Sequence, residues 1–367
     1  MKETIKISSK IIIAVVFIFS GFVKCVDPTG FSIKLEEYLV VFGMNFLTPL
    51  SLTLSILMCG AEMLVGIMLL LNLKMKWAIW IAVALMVFYT PLTLWLAITN
   101  KVTDCGCFGD AIVLTNWETF LKNAVLDVIL VFLVLNRNNY KNPLKPIVQV
   151  FASVFFTILI AGFEFFNLNH LPVIDFMPYK IGANIPKGMV VPPGAVKDSF
   201  EVVLSYQKDG KVRKFNQNNY PRTDSTWKFV DSETKWIIKG DVAPMKDFSI
   251  LSPDGQDFTD VILTEPGFSL LVIFQSLKDA NLKNIKDINR LVDQAISKGY
   301  KVYGLTASSP EEFEIFKEKA KASYPIYNMD GTTLKTMIRS NPGIMLIKAG
   351  TIIGKWHHKQ FRKLKDI

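Results

Sequence analysis

The chain has 367 residues, enough for two to three domains at about 150 residues each; half of them are apolar and only 20% are charged. A mean hydropathy of +0.32 excludes a disordered chain and points to membrane spans. The net charge of +9 divides as +2 over residues 1–167 and +7 over residues 168–367. A charge-poor half therefore precedes a mildly basic soluble half, and no basic run interleaved with aromatics occurs, which argues against nucleic acid as a partner.

Five stretches approach the roughly 20 apolar residues that a bilayer span requires: residues 8–25 (around Ile11–Phe22), Phe46–Asn72, Trp77–Thr99, Trp117–Asn136 and Ile147–Asn167. The first has the Lys-rich start and apolar middle of a signal peptide. No small-x-small cleavage site follows it, however, and Lys24 directly precedes Cys25, so a retained helix is expected. Thr90-Pro91 is expected to kink the third span, since proline removes an i−4 bond. The fourth carries Lys122 and Asp127, which weakens it as a span. With the N-terminus inside, Lys2, Lys6, Lys10, Lys74, Lys76, Arg137, Lys141 and Lys145 are cytoplasmic, while Lys24, Lys34, Lys101 and Lys122 face outward. Eight against four favours that orientation. Five spans then place the C-terminal half outside the cytoplasm, together with the Cys105–Cys107 loop. Trp77 and Trp80 at one face, with Trp95 and Trp117 near the other, fit aromatic belts.

Residues 168–245 read as β-rich. Phe200–Tyr206 and Lys211–Phe215 flank Asp209-Gly210, a hairpin signal, and Trp227–Val230 with Lys235–Lys239 suggests a second hairpin. Residues 246–360 read as β-hairpin, β, α, β, α, α, β, β. The hairpin turns at Asp254-Gly255, and Ser269–Phe274 is a fully apolar strand. Apolar residues recur at helical spacing through Asn284–Gly299, and Lys301–Leu305 is the next strand. Ser309-Pro310-Glu311-Glu312 starts a helix with a capping box. Gly343–Lys348 pairs with Thr351–Trp356 across Ala349-Gly350.

Four cysteines are too few for a disulfide framework, and all four (Cys25, Cys59, Cys105, Cys107) lie in the apolar half. Asp104-Cys105-Gly106-Cys107-Phe108-Gly109-Asp110 is the most specific local signal: two thiols separated by one Gly in a short loop between spans. An i,i+2 disulfide closes a small, strained ring, and strained, exposed disulfides tend to be exchangeable. The expected location is one where thiols are oxidised. A static loop staple, a pair of unmodified thiols and metal binding are the alternatives; the last falls short of four ligands, with no His nearby. Asp104 and Asp110 would raise a thiol pKa, which argues against a highly reactive thiolate. Cys25, at the outer end of the first span, is either a sulfur that resolves a mixed disulfide or a small residue at a helix end, and Cys59 reads as core packing. Glu62 and Asp127 sit near the bilayer centre, where a charge marks function or a paired group that locks helices. Cys59 and Glu62 share a helix face, and Lys122 is placed to pair with a carboxylate of a neighbouring span. His357 and His358 are adjacent in a strand, point opposite ways and read as surface residues.

Ser20-Gly21-Phe22-Val23-Lys24, Asp27-Pro28-Thr29-Gly30, the four apolar spans and the Cys-Gly-Cys-Phe-Gly string followed by Asn116-Trp117 together resemble the DoxX/MauE-like membrane family over about residues 5–140. More narrowly, the chain resembles a Bacteroidetes-type member with an added soluble domain. The resemblance implies a four-helix membrane bundle, loosely similar to quinone-linked disulfide-forming proteins. MauE-type members are associated with methylamine dehydrogenase maturation, but no residue here points to that pathway. Residues 246–360 resemble a thioredoxin-like domain of the TlpA/peroxiredoxin type. Ser269–Phe274 matches the strand before the usual Cys-x-x-Cys, and Asn341-Pro342 matches the cis-proline position. Gln275-Ser276-Leu277-Lys278-Asp279-Ala280-Asn281-Leu282 replaces the thiol motif, so the resemblance implies a fold and a peptide-binding groove without disulfide exchange.

The resulting expectation is a helical membrane bundle joined to an α/β thioredoxin-like domain: residues 1–145 the four-helix part, 146–168 a fifth span, 169–245 a β-rich connecting segment, 246–360 the thioredoxin-like domain. The expected setting is the bacterial inner membrane, with the C-terminal domain periplasmic. The leading function is membrane-linked thiol–disulfide chemistry at Cys105, Cys107 and Cys25, with the bilayer and a periplasmic protein client as partners, a quinone as candidate electron acceptor and no metal. The alternatives are a non-enzymatic membrane scaffold or assembly factor with a structural cysteine loop, and a permease using Glu62 and Asp127.

Overall fold

The computed structural model describes residues 2–102, 105–140, 142, 144–191, 194, 199–208, 210–216, 219–222, 224, 226–238 and 243–360. Asp104, Lys141, Asp209 and Lys239, all used above, lie outside the described residues. The N-terminal half comprises α1 (Lys2–Val26), α2 (Pro28–Val41), α3 (Ser51–Leu70, entered through a 3₁₀ turn at Asn45–Leu50), α4 (Met75–Thr99), α5 (Asn116–Leu135) and α6 (Pro146–Asn169). Among the described residues, four helices are long and apolar enough to cross a membrane: α1, α3 with its entry turn, α4 and α6.

Glu118, Lys122 and Asp127 make α5 more polar, yet it runs the depth of the bundle. At one end Asn116 Nδ2 donates to Asn100 Oδ1 beyond the end of α4, at 3.2 Å. At the other, Lys6 Nζ reaches the Asn139 carbonyl just past α5, at 3.1 Å. That same end holds the α3–α4 turn, where Lys10 Nζ donates to Leu70 O at 3.2 Å, and the start of α6, where Gln149 Oε1 accepts from Lys74 N at 2.9 Å. The chain thus makes five antiparallel passes, and its soluble part leaves α6 at the end opposite the N-terminus.

Small residues let the first two passes touch. A Cβ on Gly21 would sit 2.5 Å from Met63 N, and one on Gly66 would sit 2.7 Å from Ile18 N, the close backbone approach that membrane helices use in place of a hydrophobic driving force. α6 leaves Phe151, Phe155 and Ile158 exposed, and Trp77, Trp80 and Trp117 are exposed near helix ends, as a lipid-facing surface requires. α4 continues through Pro91 as one helix. α2 was not expected. Asp27 caps it, Pro28 opens it, and Phe31, Leu35, Tyr38 and Leu39 bury one face against the bundle.

After α7 (Ile185–Gly188), β1 (Ser199–Lys208), β2 (Lys211–Asn216) and β3 (Lys228–Ile238) form an antiparallel sheet in the order β2-β1-β3. The expected second hairpin within residues 227–239 does not form. That stretch has no Gly or Pro to turn it, and β3 pairs along β1 as one strand, absorbing its irregularities at register shifts near Ser199 and Ser205.

The C-terminal part contains α8 (Thr259–Leu263), β4 (Phe268–Phe274), α9 (Ile285–Ser297), β5 (Lys301–Thr306), α10 (Pro310–Ala320), β6 (Ile326–Asn328), α11 (Gly331–Met337), β7 (Gly343–Lys348) and β8 (Thr351–His357). The strand order is β6-β5-β4-β7-β8, with β4, β5 and β6 parallel and β7 and β8 antiparallel. β4 is buried on both faces, as a covered central strand must be. Leu270, Val272 and Phe274 meet Ile288, Val292 and Phe316 from α9 and α10, while Leu271 and Ile273 meet Leu334 and Met337 of α11. This order, with helices on both faces, is that of a thioredoxin-like domain, and the Asn341-Pro342 bond before β7 is cis. The expected hairpin at Asp254-Gly255 is reduced to a single bridge between Leu251 and Asp257.

Candidate functional site

The Cys105–Cys107 loop lies back against the bundle. Gly106 has φ +67°, a conformation open to glycine at little cost, and a Cβ there would meet Lys34 Cγ at 3.3 Å. The turn closes through Gly109 N donating to Gly106 O at 3.0 Å. Hydroxyls from two different helices hold the two cysteine carbonyls: Tyr38 of α2 donates to Cys105 O at 2.8 Å, and Ser20 of α1 donates to Cys107 O at 2.6 Å. Phe108 packs edge-on to Phe19, with centroids 5.4 Å apart, beneath the Lys122 ammonium at 4.4 Å. A capping box of Thr115 and Glu118 starts α5 directly after the loop.

The two sulfurs lie 2.9 Å apart as free thiols, close enough to close into a disulfide at about 2.05 Å. Cys105 is buried and Cys107 is partly open. An S–H···S bond joins the two sulfurs, and either can be its donor. That bond, with Lys122 and Lys24 nearby, holds the Cys107 thiol down at about 7 against the opposing effect of burial. The same bond and burial push Cys105 well up. Of the two flanking aspartates expected to disfavour a thiolate, Asp110 is exposed and Asp104 lies outside the described residues, while the S–H···S bond and the nearby cations act the other way at Cys107.

Below the loop, Lys24 of α1 and Glu62 of α3 form a buried ion pair. Tyr89 donates to Glu62 Oε2 at 3.3 Å, and the Lys24 ammonium also sits over the Phe31 ring at 4.9 Å. Lys24 stands in the last turn of α1, and the carboxylate opposite it holds it buried within the bundle. Asp127 takes a hydrogen bond from Thr90 at 2.8 Å, and no carboxylate pairs with Lys122 among the described residues, contrary to expectation. Cys25 is fully buried and donates to Glu164 Oε1 at 3.3 Å, and Ser55 Oγ lies 3.8 Å from Cys59 Sγ. All four cysteines belong to one apolar cluster at this end of the bundle. Tyr38 and Glu164 went unread in the sequence, and Ser20 was read only as part of the family string; Glu164, a charge inside an apolar span, carries a local signal.

The soluble domain faces the same end. Arg339, just before the cis-proline loop, directs Nε at both oxygens of Asp27, at 3.1 and 2.8 Å, and Lys355 pairs with Asp175 at 2.7 Å. Between the two parts lies a cavity of about 170 Å³, bordered by Gly106, Gly109, Phe31, Met177, Thr332 and Arg339. Where a thioredoxin would carry its thiols, Asn341 Nδ2 donates to Ser276 O at 2.9 Å and Ser276 Oγ donates to Asp279 at 2.9 Å, lining an open polar cleft with Gln275 and Lys335. His357 and His358 are buried, not surface residues. His358 Nδ1 and backbone N lie 3.1 and 3.0 Å from Ser340 Oγ, so they brace the cis-proline loop. Burial holds both imidazoles below their ordinary range, His357 at about 3.

Fold and site define a multi-pass membrane protein with a clamped dithiol loop and a thioredoxin-like domain docked over it. The family described as methylamine utilisation protein MauE matches residues 2–136, so the membrane part carries the likeness that the Cys-Gly-Cys-Phe-Gly string indicated. Residues 200–239 match a domain of unknown function, DUF8463. Protein TlpB of Flavobacterium psychrophilum is 24% identical over 235 residues, 59% of this chain and 64% of TlpB, so the match leaves about a third of that relative uncovered. Among solved structures, a candidate protein disulfide isomerase from Bacteroides thetaiotaomicron is 17% identical over 32% of this chain and 80% of its own, with a TM-score of 0.25. The bacterioferritin comigratory protein of Xanthomonas campestris, described by its alkyl peroxide reduction activity, is 12% identical over 30% and 81%, with a TM-score of 0.24. The thioredoxin-like assignment rests on the strand order, not on those scores.

Proposed function

We propose that the protein exchanges disulfides with a protein client at Cys105 and Cys107, on the periplasmic side of a bacterial inner membrane, with the cysteine-free thioredoxin-like domain binding the client. The observation that carries this reading is the pair of sulfurs held 2.9 Å apart by hydroxyls from two helices. The name TlpB is consistent with it. Positive side chains gathered at the N-terminal end of the bundle support the orientation. The Cys107 thiolate attacks a client disulfide, forms a mixed disulfide and expels one client thiolate, which takes the Cys105 proton. Cys105 then attacks Cys107, closing the Cys105–Cys107 disulfide and releasing the second client thiolate. One disulfide is consumed and one is formed, and the reverse sequence oxidises a client dithiol. Cys25 enters as the third thiol of the same cluster.

A quinone is not assigned a step. The cleft beneath the loop, bordered by Phe17, Tyr89, Leu92 and Cys107, encloses about 30 Å³, room for about one water rather than a quinone ring. The burial of Cys105 favours the second reading, a scaffold with a structural loop.

Thiol trapping in native membranes separates the two. The exchange reading expects the pair to cycle between dithiol and disulfide as reductant and oxidant are varied. Cys105→Ser should accumulate mixed disulfides at Cys107, and Cys25→Ala should slow the cycle. A pair fixed in one state under mild reductant, with a Cys105→Ser/Cys107→Ser protein that supports normal growth, makes the loop structural.

A further inference from the structure

We infer that the groove between α4 and α5 binds a molecule dissolved in the bilayer, one with an apolar body and a hydroxyl head that hydrogen-bonds Asp127: a long-chain phenol or alcohol. Asp127 and the Thr90-Pro91 pair interrupt otherwise apolar spans and take no part in the dithiol site. They border a groove of about 530 Å³ walled by Trp80, Val87, Val131 and Leu135. All four of those wall residues are more than half exposed, and no residue of α6 lines the groove, so in a membrane it opens to lipid.

Two hydrogen-bond acceptors at the groove lack a donor. Asp127 stands near the middle of α5, a depth at which a carboxyl group is costly unless its oxygens are matched. Thr90 Oγ1 donates to Oδ2 at 2.8 Å, and nothing meets Oδ1 among the described residues. One turn before Pro91, the Val87 carbonyl faces a residue with no N–H to give it, and hydrocarbon supplies none. The missing partner is therefore a donor that arrives through lipid, and a neutral hydroxyl leaves water at far less cost than an ammonium. From Thr90 to Trp80 the wall runs ten residues along α4, about 15 Å at 1.5 Å per residue, which gives the apolar body its bed. The helices are pinned beside the polar end: Thr93 Oγ1 donates to Thr90 O at 3.1 Å and accepts from Asn123 Nδ2 at 3.2 Å. Asn123, one turn before Asp127, borders the cleft of the cysteines. The site stands whether or not those cysteines exchange.

The experiment measures binding of tritiated para-dodecylphenol to the full-length protein in phosphatidylcholine nanodiscs, with empty nanodiscs as the partition background. Its methyl ether, para-dodecylanisole, keeps the shape and lacks the donor. The phenol should bind saturably, and the ether about tenfold or more weakly, the effect of leaving a shielded acceptor unmatched. Asp127→Leu should erase that preference. Val131→Trp, which fills the groove and leaves the Thr90–Asp127 bond in place, should abolish binding of both probes. It carries the test if Asp127→Leu fails to fold, and each variant is checked for an unchanged melting temperature. Equal binding of phenol and ether to the native protein overturns the inference, since acyl chains alone then fill the groove. Phenol binding that survives in folded Val131→Trp places the probe elsewhere and overturns it as well. Displacement of the probe by a quinol but not by a polyprenol makes the head a ring hydroxyl, and the reverse makes it a chain alcohol; either result supports the site.

Discussion

Glu62 and Lys24 show how one carboxylate organises its surroundings. The pair is buried between α1 and α3, Tyr89 donates to it, and Lys24 borders both the cleft under the cysteines and the cavity beneath the soluble domain. Removing one partner of a buried pair strands the other as an unpaired charge, at about 3–5 kcal/mol, while replacing both with apolar residues costs far less. Glu62→Gln should therefore lower the melting temperature in detergent markedly, and Lys24→Met/Glu62→Leu should recover much of the loss. A double variant as unstable as the single one would assign the effect to lost packing. The dithiol itself was legible because its spacing is local: a Gly between two cysteines needs no tertiary information. Its clamps were not, because Tyr38 and Ser20 are ordinary helix residues until α2 and α1 are brought to the loop. The Lys24–Glu62 pair was half legible: a charge deep in an apolar segment announces a partner, but not which helix supplies it.

Between elements, α1 and α3 meet through backbone, and Gly66 fixes the distance. A Cβ there would fall 2.7 Å from Ile18 N and 2.8 Å from Ala14 O. Neither atom belongs to a flexible side chain, so the helices themselves must separate. Gly66→Val should cost about 1–3 kcal/mol by overpacking, read as a lower melting temperature and faster modification of Cys59, whereas Gly162→Val, with nothing near its added Cβ, should be tolerated. Melting points that match between the two would remove the close-approach argument. The long spans were visible as apolar runs, and α10 as a capping box. α2 was missed because 14 residues fall short of a span, although Asp27-Pro28 is a helix start and Phe31, Leu35 and Tyr38 lie on one face. The split of β3 into a hairpin failed for the opposite reason: alternation alone was read as two strands where no turn residue breaks it.

For the whole molecule, the decisive contact joins residues 312 positions apart, Asp27 and Arg339, and no local pattern announces it. Charge-assisted bonds of this kind contribute about 1.5–3 kcal/mol. Arg339→Ala should raise the undocked population about tenfold or more and speed the reaction of Cys107 with a bulky maleimide; an unchanged rate would mean that the soluble domain does not cover the loop. The thioredoxin-like order was readable from strand and helix succession, because each βα step is local, whereas the seat of that domain on the bundle depends on side chains from both. The confinement of every sulfur nucleophile to the membrane part has one more use. The domain above it is a natural blank for thiol chemistry, so a lone reporter introduced there, such as Thr336→Cys on the wall of the shared cavity, would carry a signal that no native group of that domain can imitate. With a fluorophore at that position, separation of the two halves during a reaction becomes a measurable coordinate.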